Sequence, residues 1–108
     1  MKKILLILVL SVVLLAGCSS KVDIPIESNE ISIKNLQFTP SCITVKTGTT
    51  ITWTNEDSAL HTVTSEGNFD SGTLNTGERF TYTFTQAGNF DYICKIHPSM
   101  KGKIIVEN

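Results

Sequence analysis

Histidine, cysteine and proline are scarce in this 108-residue chain, which has two, three and three of them respectively. Two imidazoles cannot furnish a cluster of several histidine-bound metal ions. Long helical periods are missing, as are internal repeats and low-complexity runs. Positive charge is sparse too: nine Lys+Arg against ten Asp+Glu leave a formal charge of −1, with no clustered basic face. That excludes the electrostatic footprint of a nucleic-acid partner. Asp57, Asp70 and Asp91 read as solvated carboxylates, with no pairing suited to acid/base chemistry. An enzyme is therefore not expected.

What is present begins with a targeting segment. Lys2 and Lys3 form a charged start, and Ile4 to Leu15 is apolar except for Ser11. The apolar run is too short to span a bilayer comfortably and ends in small residues, as an export signal does. Leu15-Ala16-Gly17-Cys18 resembles the bacterial lipobox. The resemblance implies cleavage after residue 17, diacylglycerol on the Cys18 sulfur and acylation of its new amino group. An ordinary signal peptide that happens to contain a cysteine is the alternative. Without Lys2 and Lys3 the charge is seven against ten, or −3, so membrane attachment would rest on lipid at Cys18 and on no polybasic patch. Residues 18–29 read as the lipidated cysteine and a polar tether, whose last 11 residues could extend on the order of 35 Å. The expected location is the cell envelope, anchored to membrane and facing the periplasm or the exterior.

Residues 30–108 remain for one small folded domain. Its signal is β throughout. Ile31 and Ile33 alternate, then Leu36 and Phe38 alternate in the opposite phase, which predicts a bulge near Lys34-Asn35. Ile43 with Val45, Ile51 with Trp53, His61 with Val63, and Phe80, Tyr82 and Phe84 each share a face. So do Phe90, Tyr92 and Cys94, and later Ile104 and Val106. Residues 66–77 read as loop. Seven to eight short strands at this spacing predict an all-β antiparallel sandwich or barrel.

The chemistry gathers in Cys94-Lys95-Ile96-His97-Pro98-Ser99-Met100. A thiolate, an imidazole and a thioether recur every three residues, and Pro98 makes a tight loop a better reading than a helix. Parity turns Cys94 and His61 into the core, so both could sit beneath one end of a sandwich. A Cys thiolate, two His and a distant Met describe an electron-transfer copper site. A structural Cys, an unrelated surface His and a core Met remain the plainer alternative. A Cys42–Cys94 disulfide is a further option for an exported chain. Opposite parity of the two cysteines argues against it.

Phe38-Thr-Pro-Ser-Cys-Ile-Thr-Val-Lys-Thr-Gly48 with Thr50-Ile-Thr-Trp-Thr-Asn55, then Phe69-Asp-Ser-Gly72, Phe84-Thr-Gln-Ala-Gly88 and Tyr92 to Lys103, resemble the cupredoxins. The likeness is to the plastocyanin/amicyanin-like group of type 1 blue copper proteins, and the short Cys-x2-His-x2-Met loop is similar to the amicyanin type. The resemblance implies an eight-stranded Greek-key sandwich holding one mononuclear copper ion, cycling Cu(I)/Cu(II). It implies His61, Cys94 and His97 as the trigonal ligands, Met100 as the long axial ligand, and electron transfer between redox partner proteins by a monomer. Thr62 departs from the pattern, since an Asn often follows the first histidine, and Cys42 stands where a small inert residue is expected. A multicopper oxidase needs more histidines than two, and a binuclear copper site needs a second cysteine in the ligand loop. A copper carrier or storage lipoprotein, holding Cu(I) with the same four ligands, is the remaining alternative.

Overall fold

The structure, a computed structural model, describes residues 29–108. The expected signal segment, Cys18 and all of the tether except Asn29 lie outside the described residues. Nine strands appear in order: β1 (Glu30–Lys34), β2 (Gln37–Thr39), β3 (Cys42–Lys46), β4 (Thr49–Asn55), β5 (Thr64–Ser65), β6 (Phe69–Asp70), β7 (Arg79–Phe84), β8 (Gly88–Ile93) and β9 (Lys101–Glu107). No helix occurs among the described residues. One sheet has the order β2-β1-β4-β7 and the other β3-β9-β8-β5-β6.

The expected two-layer β architecture is present, with two differences. Both sheets are mixed: β1 runs parallel to β4, and β3 parallel to β9. Alternation along one strand says which face is buried but not which neighbour it pairs with. The predicted bulge is instead a complete chain reversal. Asn35 and Leu36 both take positive φ, 54° and 58°, and join β1 to β2 with Lys34 opposite Gln37. Two consecutive left-handed residues make the hairpin turn whose twist matches the flanking strands. Leu36 sits there 52% exposed, so the apparent phase change arises because it belongs to the turn and not to either strand.

Apolar faces meet between the sheets. Ile31, Ile33, Ile51, Trp53 and Phe84 come from one sheet, and Phe69, Tyr92, Ile104 and Val106 from the other. Trp53 and Tyr92 pack edge to face at 5.4 Å, and Phe38 meets Tyr92 at 4.7 Å. Aromatic pairs in this geometry add to simple area burial. The segment read as loop, residues 66–77, also enters this core. It contains β6, and its Phe69 and Leu74 are both buried. Two-residue strands are too short to show a period, so they leave no trace in the sequence pattern.

Candidate metal centre

β8 ends at Ile93, and the next residue, Cys94, is fully buried. The loop that follows closes on itself: Cys94 N–H donates to the Met100 carbonyl at 3.2 Å, and Met100 N–H to the His97 carbonyl at 2.8 Å. β9 begins at the next residue, so the loop is clamped at both ends by strands of one sheet. Met100 is buried within the core cluster, and His97 is half-buried. His61 lies between β4 and β5, outside any named strand, where expectation had it anchored in one. A single bridge to Leu74 holds it, with Leu74 N–H donating to the His61 carbonyl at 2.8 Å.

The structure brings His61, Cys94 and His97 together, their potential donor atoms all within 4.8 Å of one another. Cys94 Sγ lies 3.6 Å from His61 Nδ1 and 3.8 Å from His97 Nδ1. Metal–nitrogen bonds of about 2.0 Å and metal–thiolate bonds of about 2.3 Å, opened by roughly 110–120°, put N and S on the order of 3.5–3.8 Å apart. The donor set therefore fits one small thiophilic ion. Soft sulfur beside imidazole is the set that copper favours. Cys94 carries a free thiol, so no Cys42–Cys94 disulfide removes the ligand.

Sequence reasoning missed the group that orients His61. Asp57, read as solvated, has a side chain only 15% exposed, and its Oδ2 lies 2.9 Å from His61 Nε2. With Nδ1 turned to the sulfur, Nε2 carries the proton and donates it to this carboxylate. The lone pair on Nδ1 is left for a metal. Asp57 also accepts from Asn35 N–H at 2.7 Å and Leu36 N–H at 3.0 Å, at the tip of the β1–β2 hairpin. Buried Asn55 braces the same region, donating to the carbonyls of Ala59 and Leu74 at 3.0 and 2.9 Å. A carboxylate four residues before a candidate ligand was the available signal, but only the fold shows that the two meet. Asp57→Asn keeps the shape and removes the charge. Titration against a copper chelator is expected to show about 10-fold weaker metal binding, the lower end for groups that support a ligand. Unchanged affinity would remove Asp57 from the site.

Two carboxylates are also held below their ordinary 3.8. Burial pushes Asp57 upward, but the Leu36 N–H, His61 and the Asn35 N–H together outweigh it. The Lys95 ammonium lowers Asp70 most, followed by the Gly72 N–H. A depressed folded value contributes stability that is fully present above the unfolded value and lost as pH falls through the folded one. For the metal-free protein, the contribution of these two groups is thus expected to hold down to about pH 4 and to vanish below it. Urea midpoints of the parent and an Asp70→Asn variant, followed down the pH scale, should converge in that window. A constant gap down to about pH 2 would contradict the assignment.

The Cupredoxin-like domain family description matches residues 6–106. Amicyanin-alpha of Methylorubrum extorquens is 32% identical over 91 residues, covering 79% of this chain and 76% of that protein. Plastocyanin of the Tetradesmus obliquus chloroplast is 34% identical over 86 residues, 67% of this chain and 59% of that protein. Among solved structures, a Cu(I) form of an amicyanin variant superposes with a TM-score of 0.71 at 28% identity, covering 79% of this chain and 87% of that one. A purple cupredoxin from Nitrosopumilus maritimus gives 0.69 at 32% identity, over 72% and 98% of the two chains. The sandwich, the loop between β8 and β9 and these relatives agree: the chain belongs to the cupredoxin-like domain family.

Proposed function

We infer that this protein binds one copper ion and carries single electrons between redox partners, acting as a carrier and not as an enzyme. The observation that carries the reading is the free Cys94 thiol flanked by two Nδ1 atoms at bonding-compatible spacing in a buried site. Copper, when bound, supplies the one-electron Cu(I)/Cu(II) couple. The residues supply rigidity: His61, Cys94 and His97 would hold the ion in the trigonal set, with Met100 as the long axial ligand. A set already assembled by backbone and outer hydrogen bonds needs little rearrangement when the charge changes. His97 is the half-buried member of the trio and the natural exit for the electron. Leu36, Leu60 and Ile96 are exposed large hydrophobics at 52, 45 and 45%. Leu60 and Ile96 adjoin His61 and His97 in sequence, and exposed apolar side chains next to two ligands suit transient docking of a redox partner.

The test is the visible spectrum of the copper-loaded protein, followed by addition of a chelator. An intense thiolate-to-copper band on oxidation, with slow loss of copper, is expected. A weak spectrum with rapid surrender of the metal would overturn the reading in favour of copper delivery or storage.

For the remainder of the chain we propose a lipoprotein signal at residues 1–17, acylation of Cys18 and a tether to residue 29, ahead of the copper domain at 30–108. Supporting this are the charged start, the apolar run and the Leu15-Ala16-Gly17-Cys18 ending. The protein would then work at the outer face of a membrane, its copper domain free to meet partners. Intact protein should fractionate with membranes and Cys18→Ser should not. A soluble mature protein whose mass shows no added lipid on Cys18 would overturn the anchor.

A further inference from the structure

Asn55 closes β4 and is fully buried, polar though its side chain is. Its two Nδ2 hydrogens go to the carbonyls of Ala59 and Leu74, at 3.0 and 2.9 Å. Its Oδ1 accepts the Asp57 N–H at 2.9 Å. Turned over, the amide would set oxygen against two carbonyls and NH2 against an N–H, so its orientation is settled. The backbone of Asn55 is engaged as well: its N–H donates to the Glu78 carbonyl at 3.0 Å, and its carbonyl accepts the Gly77 N–H at 2.7 Å. Each side-chain partner is in turn a hold on His61. Ala59 stands two residues ahead of it. Leu74 pairs with His61 in both directions, N–H to carbonyl, at 2.8 and 3.3 Å. Asp57 takes the Nε2 proton at 2.9 Å.

We propose that Asn55 is the positioning residue for His61, fixing the backbone and the ring of that ligand from one buried carboxamide. The proposal rests on the copper reading above. Cys94 follows directly from β8, whose ladder to β9 holds it, whereas His61 lies outside any named strand. The Asn55 amide does for His61 what a ladder does for Cys94. Through Leu74 and Ala59 it fixes the peptide that carries the imidazole. Through the Asp57 N–H it fixes the residue whose carboxylate turns the ring. A fully satisfied buried network is rigid, and loss of one member strands the others. His61 held on both sides shifts little when copper changes charge, and a small rearrangement makes electron exchange fast.

The experiment compares Asn55→Ala and Asn55→Asp with Ile51→Val, a trim in the buried core of the same strand. Two readouts use the metal-free protein: hydrogen exchange of the His61 and Leu74 amides, and the NMR signal of the His61 Nε2 proton. A third is the rate of electron self-exchange between Cu(I) and Cu(II) copies of the loaded protein. In Asn55→Ala the two amides should exchange about 10-fold faster, the loss of one ordinary hydrogen bond. The Nε2 proton signal should broaden away, and self-exchange should slow by about 10-fold, the lower end for groups that support a ligand. Asn55→Asp nearly keeps the shape but sets an oxygen against two carbonyls, so it should move all three readouts the same way. Ile51→Val should lower stability yet leave the Nε2 signal and self-exchange as in the parent. Faster amide exchange with parent-like self-exchange would make Asn55 a structural brace only and overturn the proposal. So would an equal loss of self-exchange in Ile51→Val. Should Asn55→Ala fail to fold, parent-like values throughout in Asn55→Asp would overturn it instead. A parent protein without a thiolate-to-copper band would refute the copper reading alone, since two of the readouts need no metal.

Discussion

Replacing Cys94 by serine is expected to abolish the thiolate-to-copper absorption, whereas Met100→Gln retains a coloured site at a lower potential. The colour belongs to the sulfur that donates charge to the metal, and the long axial ligand tunes the potential. Cys94 is the only free thiol among the described residues and stands within 3.8 Å of both imidazoles, so no neighbour can replace it. Copper affinity should fall by more than the ~100-fold upper end typical of groups that merely support a ligand. Both variants should keep the fold, because serine is smaller than cysteine and glutamine roughly matches methionine in length. Visible spectra and voltammetry of the two proteins check this. Equal loss of colour in both would mean that the roles of the two sulfurs are not divided in this way.

Gly102→Ala is expected to be the most damaging single-methyl addition in the domain. Gly102 lies opposite Tyr92 in the β8–β9 ladder, and the Tyr92 ring lies across it. A β-carbon there would fall within the Tyr92 Cζ, Oη and Cε2 atoms. The ring cannot step aside, since Phe38, Trp53 and Phe69 hold it at 4.7, 5.4 and 6.5 Å. Its hydroxyl offers no compensation, because neither it nor the Trp53 indole N–H has a well-formed hydrogen bond. Overpacking of this kind costs about 3 kcal/mol. At roughly 1 kcal/mol per molar urea, the midpoint should drop by about 3 M. Combining it with Tyr92→Leu should cost less than the two changes separately, a coupling that only direct contact produces. A Gly102→Ala midpoint within about 0.5 M of the parent would contradict the packing.

The sequence was most informative where chemistry and period coincide. Cys94 shares the parity of Tyr92, and that parity alone turns its sulfur inward. The three-residue spacing to His97 and Met100 then required a turn, which Pro98 already favoured. Less legible were features that depend on which segments meet. A phase change at Asn35-Leu36 is the same pattern for a bulge and for a reversal, and only the positive φ angles tell them apart. Asp57 looked like a solvated acid because nothing local marks its contact with His61. Thr62 departs from the family pattern, but nothing local marks the path from its hydroxyl through Thr64 on β5 to Asp70 on β6. Parallel pairing of β1 with β4 and of β3 with β9 lies beyond any pattern of alternation.

The parallel partnership of β3 and β9 also bears on how the site comes into being. Ile43 faces Ile104 across that ladder, about sixty residues apart along the chain. β9 sits between β3 and β8 and leads directly out of the ligand loop. The loop from Cys94 to Met100 closes the local β8–β9 ladder, and the β3–β9 pairing, the most distant among the described strands, ties that hairpin to the start of the domain. Such long-range closure belongs to the slow class of small β proteins, with folding times of milliseconds to seconds. A short metal-binding module can wrap around its ion and fold because of it. Here strands and backbone hydrogen bonds hold the donor groups in place without an ion, so copper would enter a receptacle that the sheets already shape.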